Sequence, residues 1–165
     1  MVLGLSLPVF TTLHVVISLI AIATGFIAAF GMIAAKRLPL WNDVFLATTA
    51  LTSITGFFFP FKGITPGIVV GILSMLVLLL AVIARFAFNL AGAWRGTYVI
   101  SAMLALYFNF FVLIVQSFEK IPALKAIAPT QSAAPFKIAQ LVTLVVFAAL
   151  TTLAMRRFRI EHATV

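Results

Sequence analysis

The sequence has no cysteine, only three acidic residues and only two histidines among 165 residues. Without thiols there are no disulfides, thiolate nucleophiles, iron–sulfur clusters or cysteine-ligated zinc sites. Nor is there a Ser-His-Asp set, a phosphate-binding glycine loop, a zinc motif or an EF-hand loop. No Asn-x-Ser/Thr sequon or lipidation motif is present. No internal repeat is visible either, which removes the basis for an inverted-repeat transporter. Charge is scarce as well: charged residues make up 8% of the chain, against about 25% in a soluble globular domain.

What the chain has instead is apolar length. It is 64% hydrophobic with a mean hydropathy of +1.27. Five apolar runs fall at about 9–35, 44–61, 66–91, 97–118 and 134–155. Crossing about 30 Å of hydrocarbon at about 1.5 Å per residue takes roughly 20 mostly apolar residues. Five such runs leave almost nothing for a soluble domain. The sequence therefore predicts one all-α domain over 1–165, a polytopic membrane protein built as a bundle of five transmembrane helices. The first run lacks a basic n-region, is too long for a signal-peptide core and continues to Lys36–Arg37, so it reads as a retained helix.

The net charge is +8, and the basic residues sit at the ends of the runs rather than on one amphipathic face. That placement reads as membrane topology, with no nucleic-acid partner. If the N-terminus is outside, seven basic residues lie inside (Lys36, Arg37, Arg85, Arg95, Arg156, Arg157, Arg159) and four outside (Lys62, Lys120, Lys125, Lys137). The positive-inside rule then favours N-out, C-in. Arg156 to Arg159 form the densest cluster and suit anchoring at anionic headgroups.

The helix ends and faces follow from local sequence. In the first run Ser18, Ala21, Gly25 and Ala28 form a small-residue stripe that lets another backbone approach, with His14 one turn above. Asn42 or Asp43 is the expected cap of the second helix, Thr65 of the third, and Thr130 or Ser132 of the fifth. Gly67 and Gly71 offer a second small-residue element. Arg85 is expected to snorkel to the inner interface, and Asp43 to cap the second helix or pair with an arginine. In the fourth run Tyr98, Asn109 and Gln116 fall within about 20° of each other at about 100° per residue, and Tyr107 points the other way. Residues 122–128, in the longest loop, can form a short interfacial helix. Gln140, Thr143, Phe147, Thr151 and Ala154 trace one face of the last helix.

Under this topology the polar groups are unevenly placed. His14, Thr52, Thr55, Asn109, Gln116, Glu119 and Gln140 all fall in the extracytoplasmic half of the bundle or at its edge, and together they are the candidate ligand-binding residues. If their faces converge they make one vestibule. His14 has two readings: a proton relay, haem or metal ligand or quinone donor, or an interfacial residue bonded to a neighbouring helix. The second is favoured. A bis-His haem within one chain would need His162, in the C-terminal tail; ligation by two copies of His14 stays open. Glu119 is an acid–base or cation-binding partner for His14, or a local partner of Lys120. No catalytic residue, metal site or cofactor is predicted.

Five segments resemble, taken together, a group of small uncharacterised bacterial multi-pass integral membrane proteins. They are TTALTSITGFFFPF (48–61), GILSMLVLLLAVIAR (71–85), LAGAWRGTYV (90–99), ALYFNFFVLIVQSF (105–118) and APTQSAAPF (128–136). The resemblance implies the multi-pass fold and the bacterial cytoplasmic (inner) membrane; that group brings no established activity with it. Its pattern places an acidic residue within the last segment, where this chain has Ala133 and Ala134. The expected function is that of a non-enzymatic structural or accessory membrane protein, with the lipid bilayer and a homo-oligomer or membrane-complex partner. The alternative is a small-solute, proton or quinone-like ligand site in the polar half.

Overall fold

A computed structural model describes residues 1–60, 63 and 66–159, with Pro66 described in its backbone alone. The described residues are 81% helix and form no strand, which makes them all-α. The helices are α1 (Leu7–Ile33), α2 (Pro39–Gly56), α3 (Pro66–Val82), α4 (Ala93–Lys120), α5 (Pro122–Ile127) and α6 (Ala134–Arg157), and a π turn (Ile83–Ala87) extends α3. Four are long and apolar enough to cross a membrane: α1, α3 with its π turn, α4 and α6. The second apolar run became α2, which is not among the four. Its 18 residues include Asn42, Asp43, four threonines and Ser53.

Prolines, not capping side chains, set the starts. α1, α2, α5 and α6 each have proline in the first turn, where its missing N–H is no loss and its fixed φ suits a helix. This corrects two expected caps. α2 begins at Pro39 behind Leu38, so Asn42 and Asp43 lie inside it. α6 begins behind Ala133, while the hydroxyls of Thr130 and Ser132 bond each other at 2.8 Å. The expected cap Thr65 lies outside the described residues, as do Lys62 and His162.

The ends of helices also moved. α1 closes in a Schellman turn: Lys36 N–H bonds Gly31 O at 2.8 Å and Ala35 N–H bonds Met32 O at 3.1 Å. Ala35 takes the left-handed position, φ 57°, where glycine is usual. α3 stops well before residue 91, because its last turn widens to a π turn and Asn89 and Leu90 turn left-handed. α4 consequently starts at Ala93 rather than 97, and Trp94 in its first turn stacks on Phe88 with centroids 3.9 Å apart.

α4 is the central helix and touches the other five. Ser101, Ala102 and Ala105 are buried on it, and such small side chains allow close approach. Of the α1 stripe, Ala21, Gly25 and Ala28 are buried. A Cβ on Gly25 would fall 2.5 Å from Leu106 of α4 and 2.9 Å from Phe45 of α2, so three helices meet at this point. α6 joins through Phe147, whose ring lies 5.6 Å from Tyr107 and 5.8 Å from Phe110. The outward faces are aliphatic: Leu76 and Leu79 are 56% exposed, Ile138 60% and Val145 61%. A water-soluble chain does not present such continuous apolar faces.

The alternating helices give the bundle two distinct ends. One gathers Lys36, Arg37, Arg85, Arg95, Arg156, Arg157 and Arg159, and is called here the arginine end; the lysine end carries Glu119, Lys120, Lys125 and Lys137. The arginine end is bonded across helices. Arg85 does not extend freely; it pairs with Asp43 at 2.7 Å and also donates to Pro39 O at 3.2 Å. Tyr98 O–H donates to Asn42 Oδ1 at 2.7 Å. Arg95 donates to Met155 O at 3.1 Å and to Phe158 O, closing the end of α6.

Candidate functional site

The seven candidate residues are distributed along the bundle rather than around one chamber. His14 and Thr55 meet: Nδ1 lies 2.8 Å from Thr55 Oγ1, joining α1 to α2. With the single Thr55 proton assigned to Leu51 O at 2.6 Å, Thr55 accepts and His14 carries its proton on Nδ1. Its Nε2 is then a bare acceptor. The Phe59 ring stands edge-on to the imidazole, centroids 5.2 Å apart, and Phe10 lies against Phe59 at 5.0 Å. Thr52, one turn below Thr55, has a buried hydroxyl with no hydrogen-bond partner among the described residues.

Asn109 is in a different place. Buried on α4, it donates through Nδ2 to Thr49 Oγ1 of α2 at 3.1 Å. Thr49 is fully buried. Gln140 on α6 donates to Phe111 O of α4 at 3.2 Å, and its Oε1 is buried without a partner among the described residues. Gln116 is exposed. It lies seven residues beyond Asn109, about 10 Å at about 1.5 Å per residue, which takes it level with the end of α2. The shared angle of Tyr98, Asn109 and Gln116 therefore meets a partner helix at the first two only. Tyr107 faces α6, as its opposite angle predicts.

Glu119 lines a cavity at the lysine end whose lining does not include His14. The cavity has a volume of about 280 Å³ and is lined by Phe118, Glu119, Lys125, Ala128, Pro129, Thr130, Gln131 and Phe136. Gln131 Nε2 donates to Glu119 Oε1 at 3.0 Å. Phe118 and Phe136 cross edge to face at 5.5 Å and brace α4 against α6. The loop itself brings no acid, in keeping with Ala133 and Ala134, but α4 supplies a carboxylate beside it. Among the described residues no three His, Asp or Glu side chains gather as a metal-ligand group.

The sequence reading passed over several of the groups that the fold brings together. The sequence marks Lys125 as a topological charge and gives Gln131 no role. Loop residues have no periodicity to reveal their direction. The Tyr98–Asn42 pair had a partial signal, because Tyr98 shares the Asn109 face.

Compared with known proteins, the chain matches no family model, no curated protein and no solved structure.

Proposed function

We propose that this chain is a five-span, N-out/C-in protein of the bacterial cytoplasmic membrane that serves as a structural or accessory component of a membrane complex. One observation carries the reading. Four polar pairs within the apolar bundle bond between helices: Asn109 with Thr49, Tyr98 with Asn42, His14 with Thr55, Gln140 with the α4 backbone. Such contacts hold a fold together in lipid, where each is worth about 0.6 kcal/mol on average. Of the seven candidate residues, Glu119 alone lines the cavity at the lysine end. As the fifth span, α2 inserts with the hydroxyls of Thr48 and Thr55 turned to its own backbone and that of Thr49 to Asn109 of α4.

The test is purification of the whole chain in mild detergent, followed by mass measurement and identification of what copurifies. A defined homo-oligomer or a stoichiometric membrane partner is the expected result. Protein that is strictly monomeric and alone would overturn the reading. A second reading, a ligand-binding protein at the extracytoplasmic end, is favoured by the cavity at Glu119 and Lys125.

A further inference from the structure

Lys36, Arg37, Arg156, Arg157 and Arg159 are exposed at the arginine end, and none has an ion-pair partner among the described residues. Asp43, the one described carboxylate at this end, is taken by Arg85. The sequence adds only Glu161 in the tail, so five bases face one acid. The five fall into two groups: Lys36 and Arg37 follow the end of α1, and the three arginines close α6.

Packing brings the two groups together. α1 and α6 both run toward the arginine end, and the Phe26 and Phe147 rings meet between them at 5.9 Å. α1 ends at Ile33, about two turns past Phe26, and α6 at Arg157, about three turns past Phe147. The two ends therefore stand within about one turn, or about 5 Å, of the same level. Packed helix axes lie about 8–10 Å apart, a gap that lysine and arginine side chains span. Helical spacing also joins these charges to an apolar surface. At about 100° per residue, Met155 lies about 80° to one side of Phe147 and Arg157 about 80° to the other. Met155 meets α4, its Cε 3.2 Å from where a Cβ on Gly96 would stand. Arg157 is thus on the flank turned to α1. Leu153 and Val146, both exposed, fall within about 40° of Arg157 on that flank. On α1, Phe30 lies one turn past Phe26, stacks on it at 6.2 Å and is exposed. Phe30 on one wall, with Leu153 and Val146 on the other, frames a lipid-facing seam below both groups of bases.

We propose that the α1–α6 seam holds a diphosphate anionic phospholipid of the cardiolipin type. One phosphate meets Lys36 and Arg37, the other meets the arginines of α6, and the acyl chains lie against Phe30, Leu153 and Val146. Basic recesses between membrane helices bind such headgroups. Arginine adds paired N–H donors that match phosphate oxygens. Two groups of bases on two helices match two phosphates joined through one glycerol, because binding at one group raises the effective concentration at the other. A single phosphate engages one group and gains nothing from the second. The rival occupant is therefore a monophosphate lipid such as phosphatidylglycerol, drawn by the same charge without bridging.

The site lies at the opposite end from the Glu119 cavity. It rests on the membrane-spanning assignment, though not on its orientation. Its test is native mass spectrometry of the full chain released from neutral-detergent micelles, where both ends are open to lipid. Cardiolipin and phosphatidylglycerol of matched chains are supplied at equal total phosphate. The expected result is retention of cardiolipin about tenfold above phosphatidylglycerol, the gain that bridging brings. Lys36→Gln with Arg37→Gln, or Arg156→Gln with Arg157→Gln, brings the two lipids to equal retention. Lys120→Gln with Lys125→Gln removes as much charge at the other end and leaves the preference in place. All six side chains are exposed, and unchanged thermal unfolding of lipid-free variants checks that the fold is intact. Where a double variant fails to fold, Arg37→Gln and Arg157→Gln are read singly, and each lowers the preference. Equal retention by the unaltered chain, a preference that outlasts loss of either group, or one lost with Lys120 and Lys125 overturns the proposal. Carbonate extraction of membranes reads the underlying assignment separately. Protein released to the supernatant refutes membrane spanning, whereas retained protein without cardiolipin preference refutes only the site.

Discussion

Single residues fix how closely these helices approach. At Gly25 a methyl group would overlap Leu106 and Phe45, each 1% exposed and with no open space to move into. Gly25→Ala should cost about 1–3 kcal/mol, the usual range for overpacking. At Gly56 the same methyl group would meet only the edge of His14 at 3.7 Å, an ordinary contact, so Gly56→Ala should change stability by no more than about 0.5 kcal/mol. Unfolding of both variants in mixed micelles checks the contrast. Ala35 works in the other direction. It holds a left-handed φ of 57° at the end of α1, and Ala35→Gly should raise stability by up to about 1 kcal/mol, seen as a higher unfolding temperature. The Gly25 stripe was legible in the sequence because small residues at helical spacing have one strong use in lipid. The Ala35 turn was not, because nothing in an alanine announces a left-handed backbone.

At the scale of elements, the apolar runs located the middles of the helices well and their ends poorly. Hydropathy follows the hydrocarbon-facing portion, whereas Pro39, the π turn after Val82 and the Phe88–Trp94 stack decide where each helix starts or stops. The candidate site was partly legible for a related reason. Helical angle placed Asn109 and Tyr98 on one face, but only the packing shows that α2 covers that face and ends before Gln116. α2 is also where the five-span reading is most exposed to test. Placed alone in a translocon-insertion reporter, it should insert in a minority of chains, because Asn42 and Asp43 oppose entry. Replacing both with leucine should bring it close to α6. Efficient insertion of unaltered α2 would contradict a need for Arg85 and Tyr98 to meet Asp43 and Asn42 before it enters.

For the whole molecule, the proposed orientation rests on the unequal ends. Seven basic residues and Asp43 gather at the arginine end, and lysines at the other. The proposed N-out/C-in arrangement predicts that a green fluorescent protein fused after Val165 is fluorescent and that alkaline phosphatase at the same point is inactive. The opposite pair of readouts would invert the molecule, leaving the helix packing unchanged. The charge difference was readable without a structure, since topology counts residues near helix ends. What each charge bonds to was not, because Arg85 finds Asp43 only through the α2–α3 packing.

The fastening of the arginine end has a mechanical consequence. Asp43–Arg85 ties α2 to α3, Tyr98–Asn42 ties α2 to α4, and Arg95 ties α4 to α6. Toward the lysine end, α1 and α2 share one such bond, His14 to Thr55, while α4 and α6 share Gln140 to Phe111 O and the Phe118–Phe136 contact. Helices held at one end act as levers. A tilt of about 3° displaces the far tip of a ~40 Å helix by about 2 Å. A lateral displacement is thus magnified toward the lysine-end tips, where no ion pair crosses between helices among the described residues.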